Sequence, residues 1–231
     1  MNTERTIVYY LFNISNAYDI SFSYVNRSRI IGEYKPLWKG AKISKTKTNV
    51  GRFIMNEVVS LSENVKISDM YFNQSIVSFV TALEVYFKDI LINSIESDKN
   101  LLNNINDKEK RVQIKIKDLL NKGQFGEVIA SCFNFQNLNS AREAYKLIFK
   151  KDLFKILSFK HNFMGKEINS LSLLKDLIDK RHQIIHHGKR YNLDFKEITS
   201  YHDLLIDVGL NIYFEIVLPL FIEKRKKAKN T

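Results

Sequence analysis

The sequence predicts an all-α chain, and three observations carry that prediction. Proline occurs only at Pro36 and Pro219 and glycine only eight times in 231 residues, so helices can run long without a breaker. Apolar residues recur three and four positions apart in four extended segments, the period of a helix with one buried face. Each segment begins near a serine, asparagine or aspartate able to accept the free N–H groups of a first turn. The expected organisation is an irregular or mixed N-terminal extension over residues 1–62, a helical domain with four to five core helices over residues 63–223, and a basic disordered tail over residues 224–231.

In chain order, Ile20, Phe22 and Tyr24 alternate with serines as a strand does, and Tyr34 to Arg52 is basic, loop-like and free of acidic residues. The first clear helix starts at Ser68, a capping residue followed by Asp69, and carries Phe72, Ile76, Phe79, Val80, Leu83, Phe87, Ile90 and Leu91 on one stripe. Val112, Ile114 and Ile116 alternate like a strand, but Val112, Ile116, Leu119 and Leu120 also fit a helix, which is preferred because neighbouring segments offer no strand partner. A further helix follows the capping box Ser140-Ala141-Arg142-Glu143, with Tyr145, Ile148, Phe149, Leu153, Ile156 and Leu157 inward. The next runs from Asn169 or Ser170 through Leu174, Leu177, Ile178 and Ile185 to a stop at Gly188. The last starts at Asp194, three residues before Glu197, and reaches the basic end Glu223 to Lys229. Its apolar stretch Leu204 to Ile222 is interrupted by Asp207, Asn211 and Glu215 at steps of four, which describes an amphipathic helix and not a bilayer span.

Composition narrows the function. Cys132 is the only cysteine, so neither a disulfide framework nor a thiolate zinc site can be built, and no secretory leader is recognisable at Met1 to Phe12; a reducing, cytoplasmic setting is expected. A formal net charge of +11 favours a polyanionic partner, because lysine and arginine near phosphates release condensed counterions. Lys35, Trp38, Lys39, Lys42, Lys45 and Lys47 mix charge with one aromatic ring as strand-tracking surfaces do, although a mobile lysine-rich loop is the simpler account. Glycine-rich phosphate loops are absent, so intrinsic ATP hydrolysis is not expected.

Chemistry is concentrated in Lys180-Arg181-His182-Gln183-Ile184-Ile185-His186-His187-Gly188, which holds three of the five histidines. Histidines at a helix end can simply answer the negative end of the helix dipole. Arg181, however, falls on the line of Leu174, Leu177, Ile178 and Ile185, so a fixed cation is directed inward, where it requires a partner or an anionic ligand. His182 and His186 share a face, whereas Arg181 and His186 lie about 140° apart on an ideal helix. A loosened helix end or a second copy across a two-fold axis would bring them together. The zinc-protease pattern His-Glu-x-x-His is missed by one residue: Gln183 stands where the general base belongs and cannot take a proton from bound water.

Arg181-His182-x-x-x-His186 resembles the Arg-polar-x-x-x-His signature of the HEPN domains, and Leu177 to Gly188 is similar to its form in standalone bacterial members. Ser75 to Leu91, with its Ala82-Leu83-Glu84-x-Tyr86 core, resembles their second recurring helix. The resemblance covers residues 68 to 222. It implies an HEPN-like helical bundle that pairs so that both motifs line one cleft, and a metal-independent endoribonuclease, a hydrolase of RNA, acting as a toxin or in antiphage defence through abortive infection. In that scheme the ribose 2′-hydroxyl is the nucleophile, His186 moves protons as imidazole can near neutral pH, and Arg181 stabilises the charged phosphorane. His182 would orient the arginine or the partner motif; Lys180, His187, Lys189 and Arg190 would hold flanking phosphates; Glu84 would play a supporting part, with a plain surface ion pair to Lys88 one turn on as the simpler account. No cofactor or metal is called for. Expected partners are RNA, a second copy of the chain, and an antitoxin or sensor protein, with no membrane. The rivals are a non-catalytic HEPN-fold module that binds a nucleotide, nucleic acid or protein, and a nucleic-acid-binding protein without chemistry.

Overall fold

A computed structural model describes residues 6–19, 67–105 and 124–229. The strand-like Ile20, Phe22 and Tyr24, the basic segment 34–52 and the helix expected around Val112 to Leu120 lie outside them. Residues 6–19 form α1. There follow α2 (Ile67–Ser97), a 3-10 turn (Lys99–Asn104), α3 (Phe125–Ala130), α4 (Leu138–Phe149), α5 (Leu153–Ile156), a hairpin of β1 (Lys160–Phe163) and β2 (Lys166–Asn169), α6 (Ser170–His187) and α7 (Phe195–Ile212). A π-helical turn (Tyr213–Val217) joins α7 to α8 (Leu218–Lys229).

α2 is the central helix, and α3, α6 and α7 pack against it. Its sequence dictates that place: Ile76, Phe79, Val80, Leu83, Phe87, Ile90, Leu91 and Ile95 are all buried, a stripe too wide for a helix covered on one side only. On α7, Leu204, Leu205, Val208 and Ile212 are buried, continued by Ile216 and Val217. The run Phe195–Lys226 is apolar and long enough to cross a membrane by length and composition. Its interrupting acids have partners within the chain: Asp207 Oδ2 lies 2.8 Å from Nδ1 of the buried His161, and Glu215 takes Lys151 at 3.3 Å. The basic end, expected to be disordered, stays helical to Lys229.

Within the N-terminal extension, residues 6–19 form a regular helix. α1 buries Tyr10, Ile14 and Ala17, spaced four and three apart, against α2 and α7. The Tyr10 ring stacks on Tyr86 at 4.2 Å and its hydroxyl donates to the Leu205 carbonyl at 2.7 Å. Burial raises the Tyr10 phenol well above its ordinary value. Thr6 accepts from Asn93 at 3.0 Å, and Ser75 donates to the Ala17 carbonyl at 3.1 Å, so both ends of α1 are fastened to α2.

One expectation holds with a local addition, and one helix boundary is corrected. The all-α pattern holds except for the antiparallel hairpin, whose Met164 (φ 55) and Gly165 (φ 84) turn in the left-handed region. Met-Gly is a weak hairpin signal, and four-residue strands leave little alternation to read. α4 starts earlier than the Ser140 capping box, because Asn137 Oδ1 accepts from the Asn139 and Ser140 amides. The helix also breaks in two at Lys150 (φ 55), and Asp152 caps α5 by accepting from the Phe154 amide at 3.0 Å. Arg142 grips Asp152 through two hydrogen bonds of 2.7 and 2.6 Å, with Lys146 at 3.1 Å, and this holds the carboxyl well below the usual carboxylate range.

A depressed carboxyl contributes stability that is present above its unfolded pKa and lost as pH falls through its folded one. In urea unfolding Asp152→Asn is therefore expected to be less stable than wild type at neutral pH, with the gap narrowing below about pH 4. A Cβ on Gly126 would lie 2.6 Å from the Ile92 carbonyl oxygen, so α3 approaches α2 only because that atom is missing. Gly126→Ala is expected to cost about 1–3 kcal/mol in the same measurement, as overpacking does.

Candidate functional site

α6 is delimited at both ends by its own sequence. Asn169 Oδ1 accepts from the Ser172 amide at 3.3 Å, and Gly188 at φ 62 supplies the left-handed residue that ends the helix, with the Lys189 amide donating back to Gln183 O at 3.2 Å. The helix is regular through His187, so the loosened end considered from the sequence is not present. Leu173, Leu174 and Leu177 are buried and fix its rotation, while Ile185, expected on the same inner line, is 45% exposed.

Arg181, one turn beyond Leu177, points inward as expected. Its side chain is only 15% exposed and its Nη2 lies 3.9 Å from Oε2 of Glu84 on α2, itself 14% exposed. The sequence-local partner Lys88 is thus displaced by a residue from another helix. At that distance the pair is an ion pair without a hydrogen bond, and Arg181 Nε and Glu84 Oε1 are buried with no hydrogen-bond partner among the described residues. The guanidinium retains unused donors beside a carboxylate too far to saturate them. Burial pushes the Glu84 carboxyl up from its ordinary value, and the charge of Arg181 offsets part of that rise.

The histidines lie on the opposite side. His182, His186 and His187 are exposed; the rings of His182 and His186 are 4.5 Å apart and those of His182 and His187 5.7 Å apart. His182 therefore contacts His186, where an orienting contact with Arg181 had been one expectation. Lys189 and Arg190 are exposed just past the helix end, as phosphate-holding residues would be. Lys180 is different. Its side chain is 15% exposed, ion-paired with Asp176, and its Nζ lies 5.6 Å from the Tyr191 ring and 5.7 Å from the Tyr201 ring. Tyr201 also donates to Asp176 at 2.6 Å. Lys180, expected to hold a flanking phosphate, thus lies in an internal cation–aromatic cluster. Tyr191, Tyr201 and Asp176 were not singled out from the sequence, because their pairing joins α6, α7 and the loop between them and leaves no local spacing to read. Among the described residues no group of three His, Cys, Asp or Glu side chains is placed to hold a metal ion.

A family model described as RiboL-PSP-HEPN matches residues 51–217, a span that takes in Glu84, Arg181 and the three histidines of α6. No curated protein matches the chain, and no solved structure does.

A carboxyl raised by burial destabilises the fold as it ionises, so wild type loses stability as pH rises from the unfolded toward the folded pKa of Glu84. Glu84→Gln lacks that titration. The stability difference between the two, measured by thermal unfolding across the carboxylate range, is expected to shift toward the glutamine variant as pH rises; a flat difference would contradict the burial assigned to Glu84.

Proposed function

This chain belongs to the RiboL-PSP-HEPN family, and from that premise we propose that it is a metal-independent endoribonuclease that cleaves RNA by attack of the 2′-hydroxyl on the adjacent phosphate. The observation that carries the reading is the pairing, on one regular helix, of an inward guanidinium with unspent donors and an outward cluster of imidazoles. RNA supplies its own nucleophile, so the protein needs only to position it, move protons and stabilise charge. His186 takes the 2′-hydroxyl proton or returns one to the departing 5′-oxygen, and Arg181 stabilises the phosphorane. The products are a 2′,3′-cyclic phosphate and a 5′-hydroxyl. Lys189, Arg190 and His187 hold neighbouring phosphates.

Because α6 does not loosen, about 140° separates Arg181 from His186 around one helix, and a second copy supplies the convergence. Val85, next to Glu84, and Ile185, one turn beyond Arg181, are 46% and 45% exposed, which leaves apolar surface beside the site for that copy to cover. An intracellular toxin or antiphage effector held in check by a partner protein suits such an enzyme. One observation favours the other reading, a HEPN-fold module without chemistry that binds a nucleotide, nucleic acid or protein: Arg181 is mostly buried against an acid.

Incubation of the purified chain with total RNA in EDTA separates the two. The nuclease reading predicts fragments ending in cyclic phosphate, and a loss of at least about a hundredfold in rate for Arg181→Ala or His186→Ala. Mixed and refolded together, the two inactive variants regain about a quarter of wild-type activity if each site takes its arginine from one copy and its histidine from the other, since half the random dimers are mixed and each carries one intact site. Salt-sensitive RNA binding that survives His186→Ala, with no cleavage under any condition, would establish the module instead.

A further inference from the structure

At the proton-handling end of α6 it is Ile184, partly buried against the core, that packs, and not the imidazoles. His182, His186 and His187 are exposed and their ring contacts are with one another, so burial does not determine where the His186 imidazole points. The segment that follows supplies an anchor. Three residues beyond Gly188, the backbone of Tyr191 is held by one side chain of α2: Asn73 Nδ2 donates to the Tyr191 carbonyl at 2.9 Å, and Asn73 Oδ1 accepts the Tyr191 amide at 3.0 Å. A carboxamide presents donor and acceptor from one planar group, so it can close both backbone bonds at once; an ionised carboxylate lacks the donor and an ammonium the acceptor. Asn73 is 6% exposed, and a polar group buried that deeply belongs where its bonds are needed. The clasp also places the Tyr191 ring, 4.7 Å from Lys189 Nζ and 5.6 Å from Lys180 Nζ, so both lysines flanking the motif are arranged around the residue that Asn73 holds.

We propose that Asn73 is a positioning residue of this site, acting through the Tyr191 backbone to fix the last turn of α6 and with it the direction of His186 and the placing of Lys189. Its catalytic consequence rests on the endoribonuclease reading; the clasp itself does not. The loop it holds is largely at the surface, so water can solvate the Tyr191 amide and carbonyl once the clasp is cut. Loss is therefore local and does not unfold the bundle.

The test compares wild type with Asn73→Ala, Asn73→Asp and Ser75→Ala. The aspartate keeps the acceptor for the Tyr191 amide and loses the donor to its carbonyl. Ser75 is a second buried polar residue of α2, bonded to α1 at the Ala17 carbonyl, and serves as the control for a general loss of stability. Hydrogen exchange of the amides of residues 186–191 is expected to rise tenfold or more in Asn73→Ala, less in Asn73→Asp and not at all in Ser75→Ala. On a short RNA, kcat is expected to fall about tenfold or more in Asn73→Ala with a smaller change in KM, since misplacement of a reacting group by a fraction of an ångström is costly; Ser75→Ala keeps wild-type kcat. Unchanged exchange at residues 186–191 in a folded Asn73→Ala overturns the clasp. Raised exchange with unchanged kcat overturns its role in positioning. If wild type itself cuts no RNA, the nuclease reading falls, and the exchange measurement still decides the clasp.

Discussion

The structure turns on the direction of one side chain. Arg181 is turned toward the core by the helix that carries it, because Leu173, Leu174 and Leu177 fix the rotation of α6 and leave position 181 facing α2. A guanidinium so placed requires an anion, and Glu84 stands there at 3.9 Å, near enough to offset charge and too far to take a hydrogen bond. The same rotation carries His182 and His186 to the solvent side. The arginine is thus pre-set with free donors and the imidazoles are pre-set with free access, and the geometry of a regular helix keeps the two apart within one chain.

Around this arrangement α2 packs against α6 and α7 and is joined to α1. α2 is buried along most of its length, and α1 adds to that cover through the stacked Tyr10 and Tyr86 rings and the hydrogen bond from Tyr10 to Leu205. Tyr86 in turn donates to the Gly209 carbonyl at 2.9 Å, joining α2 to α7. Gly209 has no side chain because the Tyr10 ring occupies that space: a Cβ there would lie 2.5 Å from Tyr10 Cε1. A helix that precedes the family-matched span, residues 51–217, is therefore part of the scaffold beneath the candidate site.

What could be read from the sequence was what local chemistry decides. The ends of α6 and the start of α7 followed from Asn169, Gly188 and Asp194, since a cap is a bond between a side chain and the backbone beside it. The inward turn of Arg181 followed from its register with Leu174 and Leu177. The rest depended on contacts between distant residues. Lys88 looked like the partner of Glu84 because it lies one turn away; Arg181 is 97 positions on, and only the α2–α6 packing brings it near. Lys180 reads as a surface cation until Tyr191 and Tyr201 enclose it. α1 is hard to read because its apolar run, Ile7 to Phe12, is short and its partners Tyr86 and Leu205 are distant in sequence, and the break at Lys150 because a lysine gives no sign of adopting φ 55.

The central claim is that one phosphate meets Arg181 of one copy and His186 of another. The most direct test is a structure of the chain with a short RNA whose 2′-hydroxyl is replaced by hydrogen at the cleaved position, so that it binds without reacting. The account predicts two copies around the strand, with the Arg181 guanidinium and the second copy's imidazole both within hydrogen-bond reach of the same phosphate. An RNA bound elsewhere, with Arg181 still closed against Glu84 and no phosphate near His186, would contradict it.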